Sequence, residues 1–291
     1  MTPPVASRRG LLAVLGAGAA ALLPGRARAE MAASEGLNAG DGACILTPQA
    51  IEGPFYRDPW LVRSDIREGR TGVPLRVRLR VIEAGSCTPV AGARVDIWHC
   101  DAQGLYSGFL GQGDTRAIDT SGETFLRGTQ DTNNAGWVTF ETVYPGWYAG
   151  RATHIHVKVF LDEGNLLTGQ IYFPDALNEY LYTHVPAYGG RKVERFVVNA
   201  NDGIAQEEDP ERRAFCAVKE ERDRYVASLV VGVDRSADAK AMDRAVTPRG
   251  RPERPPTVTG GLPPGHHGPG PGRAALKDRV SALVPGLKKE P

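Results

Sequence analysis

From Leu75 to Val81 every second residue is a branched aliphatic and every residue between is an arginine: Leu75, Val77, Leu79 and Val81 alternate with Arg76, Arg78 and Arg80. A helix would spread those arginines around its whole surface, whereas a strand sends successive side chains to opposite faces. The stretch is therefore a half-buried strand, with one face in an apolar interior and the other in water. The same period continues at Val95 and Ile97, after a turn at Pro89 to Gly92. Further strands are expected over Trp137–Val143, Thr153–Phe160, Gln170–Phe173, Arg195–Asn199 and Tyr225–Val233, separated by turn-forming runs such as Asn133-Asn134-Ala135-Gly136. Many short strands at this spacing predict an all-β chain, an antiparallel β-sandwich with long loops. Helix is expected only in short pieces, over Asp175–Tyr182 and Asp209–Glu221. The 35 glycines and 22 prolines suit such a turn-rich chain. No internal repeat is visible.

The two ends read differently. Arg8 and Arg9 precede an apolar run from Leu11 to Leu23, followed by Ala27-Arg28-Ala29. A basic start, a short apolar core and an A-x-A ending predict a signal peptide over residues 1–29. About 13 residues cannot cross a bilayer, which needs roughly 20, so no membrane span is expected there. The paired arginines resemble a twin-arginine signal, so the chain is expected to be exported to the cell envelope or beyond. Residues 30–43 are small and polar, an extended lead-in. The strand pattern occupies 44–234. Residues 235–291 are crowded with proline, glycine and arginine and hold no alternating apolar pattern, so a disordered tail is expected there.

Charge and cysteines narrow the chemistry. A net charge of +1 on 291 residues argues against nucleic acid as the partner, which calls for a concentrated basic face. The four cysteines, Cys44, Cys87, Cys100 and Cys216, contain no C-x-x-C pair, which speaks against a cysteine zinc site. In an exported chain an even number predicts two disulfides. Cys87 and Cys100 flank a strand that would hold them too far apart to bridge, so each is expected to pair with Cys44 or Cys216.

Of six histidines, His154 and His156 stand apart. In Thr153-His154-Ile155-His156-Val157-Lys158-Val159, the aliphatic residues define one strand face and the two imidazoles share the other. They lie about 7 Å apart along the chain, close enough to chelate one metal ion. Immediately before them, Tyr144-Pro145-Gly146-Trp147-Tyr148-Ala149-Gly150-Arg151 presents an aromatic pair at a turn. Farther upstream, the strand Val95–Trp98 runs through His99 into a loop ending at Tyr106-Ser107. Trp98 is expected to be a packed aromatic and His99 a hydrogen-bonded structural residue. His184 has no partner at metal spacing and reads as a loop residue, and His266 and His267 fall in the tail.

Taken in order, these motifs resemble the intradiol ring-cleavage dioxygenases, the family of catechol 1,2-dioxygenases and the protocatechuate 3,4-dioxygenase β chain. The matching pieces are Trp98-His99, Gly104 to Ser107, Pro145 to Tyr148, Arg151 to His156, and Gln170; Thr47-Pro48 and Glu52-Gly53-Pro54-Phe55-Tyr56 resemble the family's amino-terminal segment. The resemblance covers roughly Cys44 to Asp234. It implies one iron(III) per chain, held by Tyr106, Tyr148, His154 and His156. It also implies cleavage of a catechol-type ring between its two hydroxyl-bearing carbons, with both atoms of dioxygen inserted to give a cis,cis-muconate-type diacid. In that scheme Tyr148 yields its place to substrate and takes a proton. Arg151 stabilises charge developing on the ring, Gln170 orients substrate, and Tyr56 lines the pocket. The donor set suits the ion, because iron(III) is hard and favours anionic oxygen beside imidazole. Two phenolates and two neutral imidazoles leave a net +1, which one hydroxide would cancel. The long helical amino-terminal extension of catechol 1,2-dioxygenases is not expected here, so the resemblance does not imply their modes of dimerisation and lipid binding. A homo-oligomer stays open.

Two other readings fit less well. Metal-binding cupins also use H-x-H on a strand, but they place a glutamate soon after it, and Glu163 comes too late. Thr88-Pro89-Val90-Ala91-Gly92-Ala93-Arg94-Val95 resembles the turn and strand of transthyretin-like domains, which suggests an exported binding module without catalysis. Such a module has no use for the Tyr/Tyr/His/His set.

Overall fold

The computed structural model describes residues 44–237 and 239, apart from 59, 60 and 163. The expected signal peptide, the lead-in, nearly all of the tail, and His266 and His267 lie outside the described residues. Among the described residues eight strands form two four-stranded sheets. One has the order β4-β1-β8-β7, built from Trp137–Val143, Pro74–Glu83, Tyr225–Val233 and Ala217–Glu220. The other has the order β3-β2-β5-β6, built from Arg127–Asp131, Arg94–Trp98, His154–Leu161 and Gly164–Tyr172.

The alternation in β1 does what its period requires. Leu75, Val77, Leu79 and Val81 are at most 1% exposed and share one core with Val95 and Ile97 of β2 and Ile155, Val157 and Val159 of β5. Most strand pairs are antiparallel, but β1 lies parallel to β8, with Leu75 opposite Tyr225 and Glu83 opposite Val233. Side-chain alternation carries no information on strand direction, so nothing in the period distinguishes this pair from the others.

Some local expectations differ from the structure. Arg195–Asn199 is not a strand, because side chains claim its backbone: Asn201 Oδ1 accepts from Val198 N at 2.7 Å, and the Asp175 carboxylate accepts from Asn199 N. Asp209–Glu221 is not a helix. The Asp209 carboxylate accepts from the amides of Arg213 and Ala214, bending the chain into a turn before β7 begins at Ala217. The other expected helix does form, as Asp175–His184 (α1), and takes in His184, which is therefore not a loop residue; a further short helix forms at Gly203–Glu208 (α2). One disulfide is present rather than two, Cys44–Cys87, with 5.1 Å between α-carbons; Cys100 and Cys216 are free and buried.

The outer face of the β3-β2-β5-β6 sheet is also buried. His154 and His156 are at most 2% exposed and Lys158 is equally covered. Their cover is the irregular segment 48–58, which lies along β6 and β5. Ala50 N donates to Thr168 O, Gln49 Nε2 donates to Leu166 O, and the Gln170 amide donates to Ile51 O at 3.0 Å. Gly53, at φ +79°, lies so close to His156 that a β-carbon would approach its ring to 3.1 Å.

Candidate metal centre

Strand register sets the site. Trp98 of β2, His156 of β5 and Gln170 of β6 stand side by side across three strands, and His154 faces Tyr172 in the next row. The Trp98 indole stacks on the His156 imidazole with 4.7 Å between centroids and 9° between planes, fixing that ring. His154 is fixed from its other nitrogen: Nδ1 lies 2.7 Å from the Ala152 carbonyl, so it carries the proton and leaves a lone pair on Nε2. That Nε2 lies 3.1 Å from Nε2 of His156 and 3.4 Å from the Tyr148 hydroxyl.

Tyr106 and Tyr148 arrive on loops. Gly104, at φ +81°, turns the chain after Asp101, whose carboxylate accepts from the amides of Gln103 and Leu105. A β-carbon at Gly104 would sit 2.3 Å from the Trp147 carbonyl, so the two tyrosine-bearing loops touch through a glycine. The Tyr106 and Tyr148 rings then lie 5.6 Å apart, edge to face. Phe55 stacks on Tyr106 at 4.4 Å and meets Tyr148 edge-on, closing the apolar side. Arg127 ties the Tyr106 loop to the Phe55 segment, donating to the Ser107 and Phe55 carbonyls.

All four predicted donors therefore converge. Their protonation fits a cation. Burial pushes the Tyr106 phenol well above its ordinary value, and Tyr148 beside it raises it further. Burial pushes Tyr148 up to about 12, with the Arg151 charge pulling the other way. Burial lowers His154 to about 3 and holds His156 well below the usual imidazole range. The chain alone thus keeps two neutral phenols and two neutral imidazoles at pH 7, and only a strong Lewis acid would displace the phenolic protons. Among the described residues the buried Tyr106 hydroxyl has no partner beyond the Tyr148 hydroxyl beside it, and two imidazole nitrogens face each other across 3.1 Å. A cation among them would satisfy every one of these atoms. Among the described residues no group of three or more His, Cys, Asp or Glu side chains could hold a metal, so the phenols must belong to any donor set there. Iron(III) fits.

Arg151 and Gln170 adjoin the quartet. The Arg151 guanidinium donates to Gln170 Oε1 and lies 3.5 Å from the Tyr172 hydroxyl. Tyr56 is placed differently. Its ring packs against Trp98 at 4.8 Å, and its hydroxyl donates to buried Asp96 at 3.0 Å. There it borders a separate polar pocket of about 430 Å³ with Glu52, Arg94 and Lys158. His99 is not among the converging donors: Nδ1 meets the Cys100 carbonyl at 2.8 Å and Nε2 the Thr142 hydroxyl at 2.7 Å. Gly53, Phe55, Tyr172 and Asp202 join the site without having been expected there. Only the Gly53-Pro54-Phe55 run carries a sequence signal, a turn before an aromatic.

A β-sandwich that gathers two loop tyrosines over two histidines on its sheet face defines a class, and the chain belongs to it: it is a member of the intradiol ring-cleavage dioxygenase family. The family model described as Dioxygenase matches residues 51–201. Among solved structures, the intradiol ring-cleavage dioxygenase from Tetranychus urticae is 31% identical, with a TM-score of 0.60 over 67% of this chain and 97% of that one. Among curated proteins, chlorocatechol 1,2-dioxygenase of Rhodococcus opacus is 27% identical over 160 residues, 44% of this chain and 56% of that protein. Catechol 1,2-dioxygenase 1 of Acinetobacter lwoffii is 29% identical over 147 residues, 43% and 45% of the two. The chain spans about half the length of the curated relatives it matches.

Proposed function

We propose that this chain is an exported, non-haem iron(III) dioxygenase that opens catechol-type rings between the two hydroxyl-bearing carbons. Both atoms of dioxygen enter the product, a cis,cis-muconate-type diacid. The observation that carries this reading is the convergence of Tyr106, Tyr148, His154 and His156 around buried atoms left without better partners. These four would hold one ion per chain. Bound there, iron(III) would act as a Lewis acid and electron acceptor, keeping the phenols ionised and making a chelated catechol's ring carbon reactive toward dioxygen.

The protein's part follows from its own groups. The Tyr148 oxygen lies next to His154 Nε2 and can accept a proton from an incoming catechol hydroxyl. Arg151 holds a positive charge beside that oxygen, where negative charge collects on the ring. Gln170 is fixed at both ends of its amide, by Ile51 O and Arg151, and gives substrate a rigid polar edge. Phe55, Tyr106 and Phe109 form an aromatic wall that keeps water off the face of a bound ring. Export is supported by the Cys44–Cys87 disulfide, since such bonds persist in oxidising compartments.

The test is optical and then respirometric. Iron-loaded protein should be red-brown from tyrosinate-to-iron absorption, and the band should shift when catechol is added without oxygen. Oxygen uptake across catechol, protocatechuate, hydroxyquinol and larger lignin-like diols then identifies the substrate. A colourless protein that takes up no iron and ignores every diol would leave only a binding module.

A further inference from the structure

Arg151 enters the site from a loop, and a guanidinium on a loop needs an anchor to keep one orientation. Asp202 provides it. Its carboxylate is 0% exposed and its two oxygens divide their work. Oδ1 accepts from Ile204 N and Ala205 N, both at 3.0 Å, capping α2. Oδ2 accepts from Arg151 Nε at 2.9 Å and from Ala152 N at 2.6 Å. Nη2 of the same guanidinium then reaches Gln170 Oε1 and, 3.5 Å away, the Tyr172 hydroxyl, which itself donates to Gln170 Oε1 at 3.1 Å. Asp202 lies 51 residues from Arg151, so this contact is purely tertiary.

We infer that Asp202 is a positioning residue for the ring-cleavage reaction: it fixes the Arg151 guanidinium beside Tyr148 and Gln170, where charge forms on the substrate. The inference rests on the proposed dioxygenase function. It makes Asp202 an indirect participant, whose effect travels through the Nε–H···Oδ2 bond. The bond also removes one torsional freedom that would otherwise have to be lost as substrate reacts. Tyr172 completes the frame by holding Gln170 against the same guanidinium.

D202N tests it. Asparagine still offers Oδ1 to cap α2 but turns an N–H donor toward two donors, Arg151 Nε–H and Ala152 N–H. With catechol, kcat is expected to fall about 10- to 100-fold while KM changes less than about threefold. In an R151Q background the same change should alter kcat less than about twofold, because the group through which Asp202 acts is gone. A readout independent of turnover is the Arg151 Nε–H resonance of the metal-free chain, which should be protected from exchange in wild type and lose that protection in D202N. If D202N does not fold, D202S keeps a capping oxygen and serves in its place. Equal losses in the wild-type and R151Q backgrounds would assign Asp202 to backbone support through Ala152 and overturn the inference. So would an unprotected Nε–H in wild type, or protection that survives in D202N. Wild type inert toward every diol would instead sink the dioxygenase reading, leaving the exchange measurement to judge the Asp202–Arg151 tie.

Discussion

His99 sits fully buried between the Cys100 carbonyl, to which Nδ1 donates, and the Thr142 hydroxyl, which lies 2.7 Å from Nε2 and can donate to it when the ring is neutral. Burial lowers its pKa to about 4 from an ordinary 6.5. The unfolded chain therefore binds a proton at His99 below pH 6.5 that the folded chain refuses until about pH 4. Stability from this group is complete above pH 6.5 and drains away as pH falls toward 4. Between pH 7 and pH 5 the loss is about 2 kcal/mol, because each tenfold rise in proton activity between the two pKa values costs about 1.4 kcal/mol. Replacing His99 by glutamine removes this proton from the balance. His99→Gln should cost about 1–3 kcal/mol at pH 7 through poorer hydrogen bonding. The gap from wild type should shrink by about 2 kcal/mol at pH 5. His154 and His156 titrate in both proteins and cancel in the comparison. Urea midpoints of both, in the same metal state, at pH 7, 6 and 5 provide the measurement, and His99→Gln should still bind iron. A gap that stays constant across this range would refute the account of His99 as a neutral, proton-excluding residue.

Two further outcomes follow from the donor loops. Tyr148→Phe keeps the edge-to-face packing on Tyr106 but removes an oxygen donor and proton acceptor; the visible band of the loaded protein should weaken and kcat fall about 100-fold or more, with the melting temperature little changed, by absorption, oxygen uptake and calorimetry. Gly104→Ala forces a β-carbon to within 2.3 Å of the Trp147 carbonyl at φ +81°, so it should cost about 2 kcal/mol or more and lower iron content, read by thermal melt and metal analysis.

Much of the fold and of the donor set is legible in the chain because period-2 patterns and short motifs are local. β8 runs from Tyr225 to Val233 as its apolar run predicts, and His154 and His156 share a face because residues two apart always do in a strand. β3 gives no such signal. Arg127-Gly128-Thr129-Gln130-Asp131 has no apolar alternation, and it is a strand because β2 pairs with it and Gly128 leaves room for the Ile66 side chain. The second expected disulfide does not form because Cys100 packs against Trp98 and Tyr106 while Cys216 donates to the Tyr172 carbonyl, each in an environment of its own. Asp202 carries no sequence signal at all, since an aspartate that caps a helix looks the same whether or not it also holds an arginine 51 residues away.

The irregular stretch before β1 has a bearing on when the protein can become active. It is among the first described parts of the chain to be synthesised, yet the carbonyl of Ile51 waits for the amide of Gln170, 119 residues later, before it has that partner. The floor beneath the two histidines cannot be tied down on this side until Gln170 has been made, and a chain stopped short of it would hold its imidazoles open to water and to the wrong metal. Loading of the correct ion belongs to the finished molecule.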